Sequence, residues 1–287
     1  MLVAHFSDLH LLALEGARIR HFLGKRATGG VNLLFNRGGQ FPASVARALV
    51  ADIRDRTVDH VVVSGDLTNL AFPAEFRLVR SILEQLPLPP SEVTVVPGNH
   101  DYYTRDAAAC DHFGEAMVGF SAEAGRFPLL RVRGELAVVA LNSAHPTPPL
   151  MAYGTLGSRQ LREARALLAA VEQRERFRLV VLHHPPHREH VSWHNRLTDL
   201  RAFVSMIRDV GAELVVHGHL HRPVRVALDG PDGSVPVIGV ASGTWLSPDD
   251  PARRAQYNLY RTEGRRLAEV TTRRYDPGSG VFRTAPP

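Results

Sequence analysis

Short apolar runs set the rhythm of this chain. LVAHF, HVVV, VTVV, LVVL and LVVH are rich in Val and Leu, and each breaks off at a polar or glycine-containing cluster. Runs of that length and composition read as buried β-strands. Longer stretches between them carry a different period. From Pro42 to Arg56, Val45, Leu49 and Ile53 recur at four-residue spacing, which predicts a helix with Pro42 in its first turn. A second helix is expected to begin near Pro73, a third to cover Arg105 to Phe120, and others Ser158 to Glu175 and Leu197 to Val210. In the fourth of these, Leu161, Leu168 and Val171 supply the apolar stripe. Phe127 to Arg131 and Leu136 to Leu141 read as a hairpin turning at Gly134, so the sheets are expected to be mixed rather than purely parallel. From Val224 onward VRVAL, VPVIGV, YNLYR and LAEVTT read as short strands that complete a second sheet packed on the first. The class is α/β.

Five of the apolar runs end on side chains that bind metals. LVAHFSDLH carries Asp8 and His10, HVVVSGD carries Asp66, TVVPGNHD carries Asn99 and His100, LVVLHH carries His183, and LVVHGHLH carries His219 and His221. Loops leaving the carboxyl ends of strands converge on one crevice in α/β sheets, so residues distant in sequence can meet there. Alternate residues of an extended segment share a face, which predicts that Asp8 points with His10 and His219 with His221. Gly218 is read as giving the backbone freedom at the last exit. Oxygen and imidazole donors without thiolate suit divalent ions such as manganese, iron, zinc, cobalt or nickel.

Composition narrows the setting. At 287 residues the chain can bury a sizeable core, and the spread of motifs predicts one domain over 1–287, with a cap or insertion at 11–40 and a β-rich section at 224–275. The single cysteine, Cys110, excludes an internal disulfide and is read as an apolar filler. No run approaches the length of a membrane span and no signal-like segment opens the chain, so a soluble cytoplasmic protein is expected. The net charge of +5, with arginine far outnumbering lysine, favours anionic partners without choosing among them. HFLGKRATGGVNLLFNR, inside 11–40, mixes cations with apolar residues and is expected to cap the crevice or to touch a membrane edge.

DLH, GD, GNHD, a His leaving a strand and GHLH, in this order over residues 2 to 223, resemble the signature of the calcineurin-like metallophosphoesterases. Within that superfamily the short loops look most like the bacterial class III cyclic-nucleotide and glycerophosphodiester phosphodiesterases. The resemblance implies a four-layer α-β-β-α sandwich. It implies that Asp8, His10, Asp66 and His221 hold one metal ion, that Asp66, Asn99, His183 and His219 hold a second, and that Asp66 bridges them. It also implies a phosphodiesterase in which a hydroxide held by the ions attacks phosphorus in line, while His100 steadies the phosphoryl oxygens or protonates the leaving alkoxide.

Asn69 stands where many relatives have an aspartate, and is expected to orient His100 without charging it, lowering the pKa of that histidine. Asn99, His100, Tyr102 and His184 are the expected substrate contacts. Asp101 is read either as a partial substitute for the missing aspartate or as a pin for its loop. His5, His60 and His217 are assigned to packing. His187, His190 and His194, with Arg188, Trp193 and Arg196, form either a solvated loop or contacts along a groove. The expected substrate is a small phosphate ester or a lipid-linked one. A nuclease is disfavoured because no nucleic-acid module accompanies the basic charge. A catalytically silent scaffold remains the reading from another class.

Overall fold

The computed structural model describes residues 1–17, 40–172, 175–247 and 250–286. Two six-stranded mixed sheets with helices form the fold. The first has parallel strands β1 (Leu2–Phe6), β2 (His60–Val63) and β3 (Val93–Val95) at one side. The second is built on the hairpin β4 (Leu129–Arg133) and β5 (Leu136–Ala140), followed by β6 (Phe177–Val181) and β7 (Leu214–His217), with β5, β6 and β7 parallel.

The C-terminal strands divide between the sheets, contrary to the expectation that they complete the second. β8 (Val224–Gly230) and β9 (Gly233–Gly239) do join the second sheet, giving the order β4-β5-β6-β7-β9-β8. β10 (Gln256–Glu263), β11 (Arg266–Asp276) and β12 (Val281–Thr284) cross to the first, giving β12-β11-β10-β1-β2-β3. The reason is an open edge. β1 pairs with β2 on one side only until β10 lies antiparallel along the other, Val3 opposite Tyr260 and His5 opposite Asn258. A strand's own alternation does not say which edge it will satisfy.

Helices cover the outer faces. α1 (Ala43–Arg54) buries Val45, Leu49 and Ile53, with Pro42 just outside the helix as an extended N-cap instead of in its first turn. α2 (Pro73–Leu83) starts where expected, and the buried Glu75 reaches back to accept from the main-chain N–H groups of Leu70 and Phe72. The helix expected over Arg105 to Phe120 is two short ones, α3 (Arg105–Ala109) and α4 (His112–Ala116). Asp111 breaks it: its φ is 46° and its carboxylate caps the second piece at Gly114. Cys110, just before the break, is exposed and fills no core. α5 (Ser158–Glu172) and α6 (Leu200–Val210) pack on the second sheet.

Three apolar clusters follow from these layers. Leu49, Val61, Phe76 and Leu83 lie among the contacts between the first sheet and its helices, and Val139, Leu168, Val180 and Phe203 among those between the second sheet and its own. Val62, Val96, Val138, Val181 and Val216 pack between the sheets. That middle layer sets how far apart the two rows of strand ends stand. The segment 18–39, the bulk of the expected cap or membrane edge at 11–40, lies outside the described residues. Among the described residues no helix is long and apolar enough to cross a membrane.

One charged group is buried in the second sheet. Arg178, 1% exposed, donates to both carboxylate oxygens of Glu213 at 2.9 and 3.0 Å and to the Val210 carbonyl at 2.6 Å. Burial alone raises the Glu213 carboxyl, but the bonds from Arg178 and Arg265 outweigh it and hold its pKa below the usual value. Removing one partner of such a pair strands a charge, at a cost of about 3 kcal/mol. Glu213→Gln is therefore expected to lower stability by about 3 kcal/mol at neutral pH. Because the folded-state pKa is depressed, that stabilisation is present above the unfolded carboxyl pKa and disappears as pH falls through the folded one. Urea titrations of both proteins between pH 7 and pH 3 should show the deficit shrinking with acidity; a deficit independent of pH would contradict the assignment.

Candidate metal centre

Each candidate ligand sits where a strand runs out. Beyond β1, β2 and β3 come Asp8 with His10, Asp66, and Asn99 with His100; beyond β6 and β7 of the facing sheet come His183, and His219 with His221. The backbone there is not extended. Asp8, His10, Asp66, His219 and His221 have φ values of 55°, 44°, 52°, 71° and 49°. The paired residues thus meet because each turns individually through the left-handed region, and not because alternate side chains share a strand face. Such a conformation costs a non-glycine residue about 1–3 kcal/mol and persists only where surroundings enforce it.

The enforcing bonds are visible. Asp8 N–H donates to the Gly65 carbonyl and His10 N–H to that of Asp66, at 2.9 and 3.0 Å. The hydroxyls of Ser242 and Thr244 donate to the carbonyls of Asp8 and Leu9, both at 2.6 Å. Asp101 accepts from the N–H groups of Leu67, Thr68 and Gly98, so it pins the second and third loops together. Burial and the neighbouring Asp66 push its carboxyl up to about 7.

Two glycines are required by crowding. A Cβ on Gly98 would collide with the Asp66 main chain and its Oδ1, and one on Gly218 with the Ser7 hydroxyl and Asp8 Oδ2. Gly218 is thus needed for close approach and not for a special φ, since it is absent from the positive-φ glycines.

The donor atoms of Asp8, His10, Asp66 and His221 all lie within 4.8 Å of one another, as do those of Asp66, His183 and His219. Asp66 belongs to both groups. Its Oδ2 stands 3.4 Å from His183 Nε2 and 3.7 Å from His10 Nε2, while Oδ1 accepts from the His100 N–H at 2.7 Å. His10 Nε2 and His221 Nε2 approach to 2.9 Å. The Asn99 amide oxygen stands 3.2 Å from His183 Nε2, completing the second group.

The chemistry of these donors calls for cations. His183 Nδ1–H donates to the Ser64 carbonyl at 2.7 Å, so Nε2, facing the acceptors Asp66 and Asn99, must carry either a proton or a metal ion. Burial lowers the His183 pKa, but Asp66 and Asp8 outweigh it and push it up to about 9. His219, half-buried beside it, is pushed down to about 3 by desolvation and by His183, so protons cannot satisfy every ring. Asp8 and Asp66 are held well below the usual carboxylate range: burial opposes this, and His221 and His10 for one, His183 and His100 for the other, overcome it. Two buried carboxylates and four converging imidazoles fit a pair of divalent ions.

His100 is tied differently from the expectation. Its Nδ1–H donates to the main-chain carbonyl of Asn69 at 2.7 Å, whereas the Asn69 amide reaches toward the His10 carbonyl at 3.5 Å. The side chain expected to tune His100 is therefore turned away, because the loop presents its carbonyl first. The His100 ring packs edge-on to His10 with centroids 4.6 Å apart and stacks on Tyr103 at 5.1 Å. Tyr102, expected as a substrate contact, is instead buried against Phe113.

His184 is no substrate contact either. It is fully buried, its Nδ1 accepting from Ser143 at 2.8 Å and its Nε2–H donating to Ala152 O at 3.1 Å, and it props the rings of His183 and His219. His5, His60 and His217 are buried and hydrogen-bonded within the fold. One feature escaped the sequence. Phe41 packs against His10 and His221, Trp245 stacks on Phe41, and the Arg253 guanidinium lies 4.7 Å over Trp245, walling one side of the first group. The only hint was an aromatic residue in ASGTW, just beyond an apolar run.

A sequence profile described as calcineurin-like phosphoesterase matches residues 1–223. The chain belongs to that family. A glycerophosphodiester phosphodiesterase, GpdQ of Enterobacter lignolyticus, is 32% identical over 101 residues, covering 35% of this chain and 30% of that relative's length. A dimetal phosphatase from Danio rerio shares the fold with a TM-score of 0.64 at 15% identity, covering 95% of both chains. A purple acid phosphatase from yellow lupin, PPD1, matches with a TM-score of 0.63 at 11% identity, over 99% of this chain and 52% of that one. As in those folds, mixed sheets with helices frame this calcineurin-like centre.

Two substitutions separate the centre's parts. His183→Ala removes a donor confined to the second group and should lower bound manganese from two ions per chain to one; an unchanged count by elemental analysis would contradict the grouping. Gly98→Ala should weaken metal binding by about tenfold or more, because Asp66 must shift, while the circular-dichroism spectrum is unchanged. Retained affinity would show that the close approach is dispensable.

Proposed function

We propose that this chain hydrolyses phosphodiesters at the centre built on Asp8 and Asp66. The carrying observation is the sharing of Asp66 by two donor groups with His100 fixed beside them. Asp8, His10, Asp66 and His221 would hold one divalent ion, and Asp66, Asn99, His183 and His219 the other. Such ions supply positive charge for a phosphate ester and acidify water to make a nucleophile near neutral pH.

The chain's own residues do the rest. The His100 main-chain N–H holds Asp66 Oδ1, freeing Oδ2 to face both groups. The bond from Nδ1–H to Asn69 O fixes the ring tautomer, so Nε2 is the atom that exchanges a proton with the leaving alkoxide. His100 is only partly buried, so an ester can reach it. Preference for diesters over monoesters is supported by the likeness to the Enterobacter glycerophosphodiester phosphodiesterase across 101 residues. The substrate is a small phosphate ester, and the wall of Phe41, Trp245 and Arg253 suits an alcohol portion with an apolar face.

Turnover of bis(4-nitrophenyl) phosphate and of 4-nitrophenyl phosphate by the manganese-loaded protein tests this. The diester is expected to be cleaved faster, and His100→Ala to lower its kcat roughly a hundredfold or more with metal content unchanged. Faster monoester cleavage would make the chain a phosphatase, and no turnover of either with any divalent ion would favour a binding scaffold.

A further inference from the structure

We infer that a second site, for a nucleotide-type phosphate, lies on the outer flank of the second sheet, independent of the metal centre and of the reaction it performs. Two adjoining cavities of about 420 and 540 Å³ share His187, Arg188, Leu200 and Arg201 in their walls. Arg208 lines the first and Arg196 with Trp193 the second; no aspartate or glutamate lines either.

Cations gathered without counter-charges repel one another, and an anion removes that cost. The nearby carboxylates are engaged elsewhere. Asp199 accepts from Leu156 N and Gly157 N at 3.0 and 2.8 Å, Asp209 pairs with Arg165 at 2.7 Å and more distantly with Arg208 at 3.9 Å, and Glu189 lies beside His190 at 3.5 Å. Among the described residues Arg188, Arg196 and Arg201 have no ion-pair partner.

The loop that carries the arginines is anchored. His187 is 7% exposed and its Nε2 stands 3.1 Å from that of His217 at the end of β7. Alternation along β7 puts Val215 on the helix side and Val216 between the sheets, so His217 and its partner lie on the helix side. The two cavities, lined by residues of α6, thus open on the helix-covered flank, whereas the metal ligands lie beyond the strand ends.

Their shape and lining select the ligand. The volumes suit a small molecule, and the two hollows are open, shallow concavities. Guanidinium groups match phosphate oxygens bidentately. Trp193, 63% exposed in the cavity wall, offers an indole face for a planar base. Phosphates on Arg188 and Arg201, with a base on Trp193, describe a nucleoside diphosphate.

Calorimetric titration of the EDTA-treated full chain with ADP and with pyrophosphate is the test. ADP is expected to bind more tightly than pyrophosphate. Arg188→Ala/Arg201→Ala should weaken both by about tenfold or more, since two charge-assisted contacts are lost. Trp193→Ala should erase the advantage of ADP alone. An unchanged thermal melt shows that each variant is folded. No heat with millimolar ADP, equal affinity in the double-arginine variant, or pyrophosphate binding as tightly as ADP would each overturn the proposal. So would sedimentation with phosphatidylglycerol vesicles that depends on the same arginines while ADP does not bind, which would assign the flank to a membrane surface.

Discussion

Burying Asp8 and Asp66 as charged groups is the constraint on which the other features of this fold depend. Neither carboxylate is exposed to solvent, and the surrounding imidazoles offer lone pairs as readily as protons. A buried charge without a partner is prohibitively costly, so this cluster is sustainable only with positive charge at its middle. The left-handed turns, the crowded glycines and the hydroxyls of Ser242 and Thr244 all serve to keep those donors converging.

The convergence needs both sheets. The first contributes the carboxylates, His10 and Asn99, and the second contributes His183, His219 and His221. Their separation is set by the valine layer between them. Because protein interiors are close-packed, a change of volume in that layer is transmitted to the strand ends. Packing and chemistry are thereby coupled, and the cost of five left-handed residues is offset by a rigid frame.

What could be read in advance follows a physical division. Strand and helix runs were legible because burial imposes a period on the local sequence. The ligand candidates were legible because aspartate, asparagine and histidine at the ends of apolar runs are chemically conspicuous. Contacts made by main-chain atoms leave no such mark: the Asn69 carbonyl holds His100, and any residue there could offer one. The stacking of Tyr103 on His100, the burial of Tyr102 and the turning away of His184 depend on side-chain direction in irregular loops, where no period operates. The crossing of β10 to β1 was hidden for a related reason, since an open edge belongs to the assembled sheet.

By itself, then, the order of DLH, GD, GNHD, HH and GHLH along alternating strands and helices determined the family, the layered fold and the chemical kind of centre. Those properties depend on residue type and on local period. Tertiary structure alone decided how the donors divide around Asp66, which carbonyl locks His100, and that arginines from a loop and from α6 line two adjoining cavities. Each of these is a distance between atoms remote in sequence, and such distances exist only once the two sheets have packed.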